Sequence, residues 1–277
     1  MPVIALTQEM GSLAKDVAIE LAATMKLDIM RHEVVDHVAG KMHVSTSLVK
    51  RLREGKSGLI ERVTTDKERV ALYSAEELFE LANKGNVVLR GWGASCLLRP
   101  VPHVVCVRIT RSFNKRVEWL MHHLETDDRE FAEAEVRRSD SAHANRMHQQ
   151  FGVTWGDPVL YDLVLNTDRL SIPTCVEMIR QLCLRPEFQE TANSRQLLAN
   201  LTLATHVRAA LKSEPETTEV NITVEADNGR IMLKGIAVNA EERALIEQTA
   251  ARVPGVSAVD NQLRMMKPGR TFTYSKT

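Results

Sequence analysis

The residues best placed for chemistry lie near the start of the chain, in the segment VIALTQEMGSLAKDVA at 3–18. An apolar strand, a turn at Gly11 and Ser12, and a helix whose first turn holds Lys15 follow one another there. A strand–turn–helix of this kind directs backbone N–H groups and the positive end of a helix at a phosphate. The segment therefore predicts a phosphate-binding loop, with Gly11, Ser12, Lys15 and Asp16 as the cofactor-binding residues.

The loop departs from the common phosphate-loop signature, in which a second glycine precedes Lys-Ser/Thr. Leu13, Ala14, Lys15 and Asp16 occupy those places. A side chain at position 13 or 14 restricts positive φ and crowds an approaching phosphate. Two interpretations of Lys15 therefore stay open: a cation that binds phosphate, or a solvated helix residue behind a glycine that only turns the chain.

Composition and charge argue against several classes of protein. The 277 residues include 36 Lys+Arg and 36 Asp+Glu, so no overall positive charge favours nucleic acid as a partner. The four cysteines form no Cys-x-x-Cys pair, and the histidines show no metal-ligand spacing, so no metal site is predicted. No apolar run reaches the roughly 18 residues that a membrane span needs. We therefore expect a cytoplasmic protein.

The elements that must position the loop alternate between strands and helices. Apolar runs predict strands at Val3–Leu6, Val87–Leu89, Val104–Ile109 and Tyr161–Asn166. Helical spacing predicts helices at Ala14–Met25, His32–Lys41, Thr46–Arg53, Glu68–Lys84, Lys115–Leu124, Asp127–Gln150 and Ile172–Cys183. This alternation implies right-handed crossovers, so the predicted fold class is α/β with a mostly parallel sheet.

A second unit follows a predicted linker at 186–196, which is polar and contains a proline. Residues 197–267 give the order α-β-β-α-β, with Asp227-Asn228-Gly229 as the hairpin turn, because Asn-Gly supplies the positive φ of a tight turn. The elements are Leu197–Leu211, Asn221–Ala226, Arg230–Ile236, Ala240–Arg252 and Val256–Met265. The polar tail at 268–277 is predicted to fray.

Residues 1–185 resemble the cytidylate-kinase-like family, P-loop proteins related to nucleoside monophosphate kinases. The resemblance rests on the phosphate-loop segment, on GNVVLRGWGASCLLR at 85–99 and on FGVTWGDPVLYDLVLNT at 151–167. It implies a parallel sheet with helices on both faces, a lid segment and an arm for the nucleoside monophosphate. The implied activity is transfer of the γ-phosphoryl group of ATP, with Mg²⁺, to a pyrimidine monophosphate.

The resemblance also implies roles for residues beyond the loop. After the strand Val87–Leu89 the family commonly has Gly-Arg-Gly, and its lid, which aligns with Ser139–Gly152, is normally rich in arginine. The implied substrate-binding residues here are Arg90, Gly91, Trp92, Gly93, Arg137 and Arg138, and the implied catalytic residues are Lys15 and Arg146. Trp92 stands where the family has arginine, and the lid holds few cations. Together with the altered loop, these departures favour weak or absent kinase activity.

Residues 197–267 resemble the BON domain. The matching segments are THVRAAL, VNITVEADNGRIMLKGIAVNAEER and ARVPGVSAVDNQL. The resemblance implies a small, non-enzymatic binding module, in which a sandwich of α-β-β-α-β order binds a ligand or a partner protein.

Three hypotheses about function follow from these resemblances. The leading one is a nucleotide-binding protein that has lost most catalytic activity and has a ligand- or partner-binding module. The second is an active kinase that phosphorylates CMP, dCMP or UMP, in which Lys15, Arg90, Arg137, Arg138 and Arg146 contact phosphate. The third is a non-catalytic interaction protein whose first domain is a scaffold.

Overall fold

The computed structural model describes residues 1–30, 33–54, 66–91 and 93–266. Among the predicted features, His32, Trp92 and the tail at 268–277 lie outside these residues. The chain divides into two compact units, Met1–Ala199 and Asn200–Thr277. None of the described helices combines the length and the apolar character that crossing a membrane requires.

The first unit contains a five-stranded sheet flanked by helices. Its strands are β1 (Val3–Gln8), β2 (Asp28–Ile29), β3 (Val87–Arg90), β4 (Val104–Thr110) and β5 (Leu163–Asn166). Its helices are α1 (Ala14–Met25), α2 (Glu33–Met42), α3 (Thr46–Glu54), α4 (Lys67–Lys84), α5 (Ala94–Leu97), α6 (Phe113–His123), α7 (Arg129–Phe151) and α8 (Ile172–Cys183). The strand order is β2-β3-β1-β4-β5, and every pairing is parallel. This arrangement confirms the predicted fold class.

The two faces of the sheet are covered by different helices. The face under α1 and α8 is apolar, and its residues Ile4, Leu6, Val88 and Val107 are buried in one core with Ile179 of α8. On the opposite face, Thr7 of β1 and Ser95 of α5 share a hydrogen bond of 2.7 Å between their hydroxyl oxygens. Because all the strands are parallel, the loops that follow β1, β3, β4 and β5 emerge at the same edge of the sheet.

Side-chain caps explain where several helices begin. Asp66, Asp128 and Ser171 each accept a hydrogen bond from a backbone N–H in the first turn of α4, α7 and α8. Such caps satisfy donors that the helix itself leaves unpaired. The bounds of α1 and α8 match the predicted ones at both ends.

The second unit has the predicted α-β-β-α-β order. It contains α9 (Ala192–Ser213), β6 (Thr223–Asp227), β7 (Arg230–Ala237), α10 (Ala240–Ala251) and β8 (Ala258–Met265), with α9 beginning before residue 200. In its three-stranded sheet, β7 pairs antiparallel with β6 and parallel with β8. Asn228 and Gly229 both adopt positive φ, as the hairpin prediction requires.

Three elements differ from the sequence-based expectation. The two-residue strand β2 and the four-residue helix α5 are too short to give a periodic signal, and neither was predicted. Helix α9 begins at Ala192, inside the segment predicted as a linker. Its start is explained by Thr191 and Ser194, since each side-chain oxygen accepts a hydrogen bond from the backbone N–H of the other residue.

A carboxylate–imidazole cluster joins α2 to α4. Glu76 Oε2 lies 2.8 Å from His37 Nε2, Glu76 Oε1 accepts from Lys41 Nζ at 3.4 Å, and Glu77 lies 3.2 Å from His37 Nδ1. Burial alone would raise the pKa of Glu76, but His37 and Lys41 outweigh burial and lower that pKa below its ordinary value of 4.5. Glu76 therefore stabilises the fold above the pKa it has when unfolded, and this stabilisation is lost as the pH falls through the folded-state pKa.

We expect Glu76→Gln to lower the free energy of unfolding at neutral pH by about 1–3 kcal/mol, since it removes hydrogen bonds to a charged acceptor. As the pH falls below the ordinary pKa of glutamate, the free energy of unfolding should also decrease less in the variant than in the wild type. Urea unfolding of both proteins at a series of pH values from neutral to acid measures the loss at neutral pH and its dependence on pH. Glu80→Gln is the control, because Glu80 is 38% exposed and lies 3.7 Å from Lys84 Nζ on the same helix. If the free energy of unfolding depended on pH equally in the wild type and in Glu76→Gln, the stabilising role assigned to ionised Glu76 would be contradicted.

Candidate phosphate-binding site

The loop between β1 and α1 has an alternating backbone conformation. Gly11 has φ 77° and Leu13 has φ 61°, whereas Ser12 between them is not in the positive-φ region. Alternation of this kind turns successive N–H groups toward one concavity, the arrangement that binds anions. The N–H groups of Leu13, Ala14 and Lys15 donate to no other residue in the described part of the chain. The loop therefore presents backbone donors at the start of α1.

Leu13 adopts a backbone conformation that the sequence did not lead us to expect. Its φ and ψ of 61° and 13° lie in the left-handed region, which glycine adopts most easily. A non-glycine residue is disfavoured there by about 1–2 kcal/mol. The loop thus keeps positive φ at a non-glycine residue, and its conformation is strained there.

Neighbouring elements hold the loop in place. Arg111 Nη1 donates to the carbonyl of Gly11 at 3.4 Å, and Thr167 Oγ1 donates to the carbonyl of Ser12 at 2.9 Å. The hydroxyl of buried Ser12 donates to the carbonyl of Glu9 at 2.8 Å. These contacts tie the loop to the segments that follow β4 and β5.

Glu9, the first residue after β1, is the centre of a buried ion cluster. One carboxylate oxygen accepts from Arg108 Nη2 at 2.5 Å, and the other accepts from Thr110 Oγ1 at 2.9 Å and from the N–H of Arg111 at 3.3 Å. Arg116 Nε lies 3.6 Å from the second oxygen. The side chains of Glu9, Arg108 and Arg116 are 9%, 8% and 7% exposed, so this ion pairing is shielded from solvent.

Two further carboxylates neutralise arginines in the same cluster. Arg116 makes two hydrogen bonds to Asp140, at 2.9 and 2.8 Å, and Arg111 Nε lies 3.7 Å from Asp168. Burial by itself would lower the pKa of Arg116, but Asp140 and Glu9 outweigh it and raise that pKa. Arg108 is the third arginine, and its charge is paired with Glu9. Three guanidinium groups thus face three carboxylates.

The structure brings three of the predicted site residues to the start of α1. Lys15 and Asp16 are exposed in its first turn, and Lys15 makes no ion pair with a described residue. Arg90 follows Val88 at a spacing of two in β3, and Val88 packs in the core under α1. Arg90 therefore lies on the α1 face, where the charge of Asp16 acts on it.

The glycine turn after β3 is tightly packed. Gly91 and Gly93 have φ 70° and 77°, and the N–H of Gly91 donates to the carbonyl of Leu6 at 3.0 Å. A Cβ atom at Gly93 would lie 2.5 Å from the ring of Phe151, the last residue of α7. Trp92, the predicted substrate-binding residue between the two glycines, is outside the described residues.

The predicted lid arginines interact within α7 or with the helices α3 and α6. Arg137 is exposed, 4.0 Å from Glu133 and 4.3 Å from the ring of Phe113. Arg138 bonds Glu135 at 2.6 and 3.0 Å. Arg146 Nη2 donates to the carbonyl of Leu52 at 3.3 Å, and burial lowers its pKa. Each of the three therefore contacts other parts of the protein.

Comparison with known proteins assigns both units. The sequence model of the cytidylate kinase-like family matches residues 3–169, which is more than half of the chain. The chain belongs to the cytidylate kinase-like family. The model of the BON domain matches residues 200–267.

Solved structures are similar to the cytidylate kinase-like unit in fold. An uncharacterized protein from Eubacterium ventriosum has a TM-score of 0.52 at 18% identity, covering 66% of this chain and 98% of that chain. Shikimate kinase from Bacteroides thetaiotaomicron has a TM-score of 0.43 at 17% identity, and the match covers 65% of this chain and 97% of that chain. Shikimate kinase from Acinetobacter baumannii has a TM-score of 0.42 at 14% identity, and the match covers 68% of this chain and 96% of that chain. No curated protein matches the chain.

Sequence reasoning missed the ion cluster of this cytidylate kinase-like unit, namely Glu9, Arg108, Thr110, Arg111, Arg116, Asp140 and Asp168. One signal was available. Glu9, Arg111 and Asp168 come directly or shortly after β1, β4 and β5, and residues after parallel strands meet at one edge of a sheet. Arg108 also interrupts the apolar run of β4.

We expect Gly11→Ala to lower the free energy of unfolding by about 2–4 kcal/mol, because it combines strain at positive φ with overpacking. A Cβ at Gly11 would lie 3.0 Å from the Cα and the carbonyl oxygen of Arg116. Gly152→Ala is the matched control, since Gly152 has φ 67° and open space around its Cβ position. The control should lose only about 1 kcal/mol. Equal losses in chemical denaturation would show that the loop does not pack closely on α6.

Proposed function

We propose that the cytidylate kinase-like unit binds a nucleotide through the phosphate groups but transfers phosphoryl groups weakly or not at all. The observation that supports this proposal most is the contrast between the unpaired donors of the loop and the paired arginines around it. The backbone of Gly11–Leu13 presents donors beside Lys15, while the buried arginines nearby are paired with carboxylates.

Retained binding is supported by backbone and charge. N–H groups at the start of α1 favour an anion, and the helix macrodipole adds to this preference. Lys15 stands at the lysine position of the signature and is exposed without an ion pair among the described residues. ATP is the nucleotide that the family suggests for this place.

Weak transfer is supported by the pairing of cations. Phosphoryl transfer requires positive charge over the equatorial oxygens, and an arginine that supplies it contributes about 10³–10⁵ in rate. Arg108, Arg111 and Arg116 face Glu9, Asp168 and Asp140, so their charges are balanced inside the protein. Arg137 and Arg138 are paired on α7 itself, and Arg146 donates to a carbonyl of α3.

We further propose that residues 197–267 form a module that binds a ligand or a partner protein. The BON match and the exposed apolar side chains at the ends of β7 and β8 support this role. Ile236, Val238, Met265 and Met266 are 44–60% exposed there. The cytoplasm remains the proposed compartment, because all four cysteines are unpaired thiols.

The test is calorimetry of the full chain with ADP and ATP, beside a coupled assay with CMP, dCMP and UMP as acceptors. We expect binding without appreciable turnover, and about tenfold weaker binding in Lys15→Gln, because a charge-assisted contact to phosphate is lost. Lys26→Gln is the control, since Lys26 is an exposed lysine at the opposite end of α1.

The other two hypotheses give different results in the same experiment. Turnover that falls in Lys15→Gln and Arg146→Gln would establish an active pyrimidine monophosphate kinase. Absence of both binding and turnover would favour the scaffold.

A further inference from the structure

The position of Asp16 does not fit the way in which phosphate loops usually bind Mg²⁺. In the signature, the residue after the lysine is serine or threonine, and its neutral hydroxyl binds the ion. Here that residue is Asp16, whose carboxylate lies within the electrostatic range of the guanidinium of Arg90. The positive charge of Arg90 disfavours a divalent cation near that carboxylate. No group of three or more metal-ligating side chains occurs in the described part of the chain.

The position of Arg90 is fixed by the sheet. It is the last residue of β3 and pairs in register with Leu6 of β1. The following residue donates its N–H to the carbonyl of Leu6, so the strand is held up to its end. Because Val88 packs under α1, the side chain two residues later lies on that same face, at the end of α1 that follows the phosphate loop.

Arg90 is also a cation that makes no hydrogen bond to another residue in the described part of the chain. Its Nε is buried and bonds to nothing in the described residues, and its guanidinium has only the charge of Asp16 to offset burial. A buried donor without a partner is unfavourable by about 1–3 kcal/mol. A phosphate at the loop would satisfy such a donor, because guanidinium groups match the geometry of phosphate oxygens.

We propose that Arg90 gives bound phosphate the positive charge that Mg²⁺ supplies in proteins with the common signature. Asp16 is the residue that positions Arg90. The ligand class is then a nucleoside polyphosphate bound without a metal ion. This inference rests on the proposed function, since it concerns the same loop.

The experiment is calorimetry of the full chain with ADP, once in Mg²⁺ and once in EDTA. We expect the two dissociation constants of the wild type to agree within about threefold, and Arg90→Gln to weaken binding about tenfold or more in both buffers. Arg185→Gln is the control, because Arg185 is an exposed arginine 4.0 Å from Glu187. Thermal unfolding of each variant checks that it is folded.

Asp16→Ser separates a positioning role from a structural one. The substitution restores the Lys-Ser pair of the signature, so the variant should bind ADP more strongly in Mg²⁺ than in EDTA. Loss of packing alone would not produce this difference between the two buffers. Wild-type binding that Mg²⁺ strengthens about tenfold or more would overturn the inference while leaving the proposed function intact. Unchanged affinity in Arg90→Gln would overturn it as well. Absence of ADP binding in both buffers would overturn the proposed function itself.

Discussion

The ion cluster around Glu9 is the interaction on which the site depends. Its carboxylate receives hydrogen bonds from Arg108, Thr110 and the N–H of Arg111, and Arg116 lies beside it. The end of β1 is thereby joined to β4 and to the start of α6, the elements that surround the phosphate loop. A buried charge is stable only where it is paired and hydrogen-bonded, so loss of one member would leave the others unsatisfied.

In the proposed function, the same cluster accounts for a phosphate loop that persists while catalysis is weak. The pairing that orders the loop also neutralises Arg108, Arg111 and Arg116. Lys15 and Arg90 stand apart, because neither makes a hydrogen bond to another described residue. In the proposed function these two cations and the backbone donors recognise phosphate, whereas the charge that would stabilise a transferring phosphoryl group is balanced internally. In the proposed function, ordering of the loop and reduced catalysis therefore have one physical cause.

Local signals predicted much of the fold. Helices α1 and α8 and the hairpin at Asn228-Gly229 depend on periodicity, caps and turn chemistry, all of which act between near neighbours. The ion cluster could not be predicted in the same way, because Glu9 and Arg108 are 99 residues apart and meet only when β1 pairs with β4. The left-handed Leu13 was unexpected for a related reason, since surrounding contacts outweigh its own backbone preference. Lys15, Asp16 and Arg90 were predicted as site residues, but only the sheet register placed Arg90 beside α1.

The most direct test of the central role of Glu9 is the free energy of unfolding of Glu9→Ala in urea, with and without inorganic phosphate. Without phosphate, the variant should be about 3–5 kcal/mol less stable than the wild type, since removing one partner leaves buried arginines uncompensated. Phosphate should then restore more stability to the variant than it adds to the wild type, because an anion binds the uncovered guanidinium groups. A loss below about 1 kcal/mol, with the same response to phosphate in both proteins, would contradict the account.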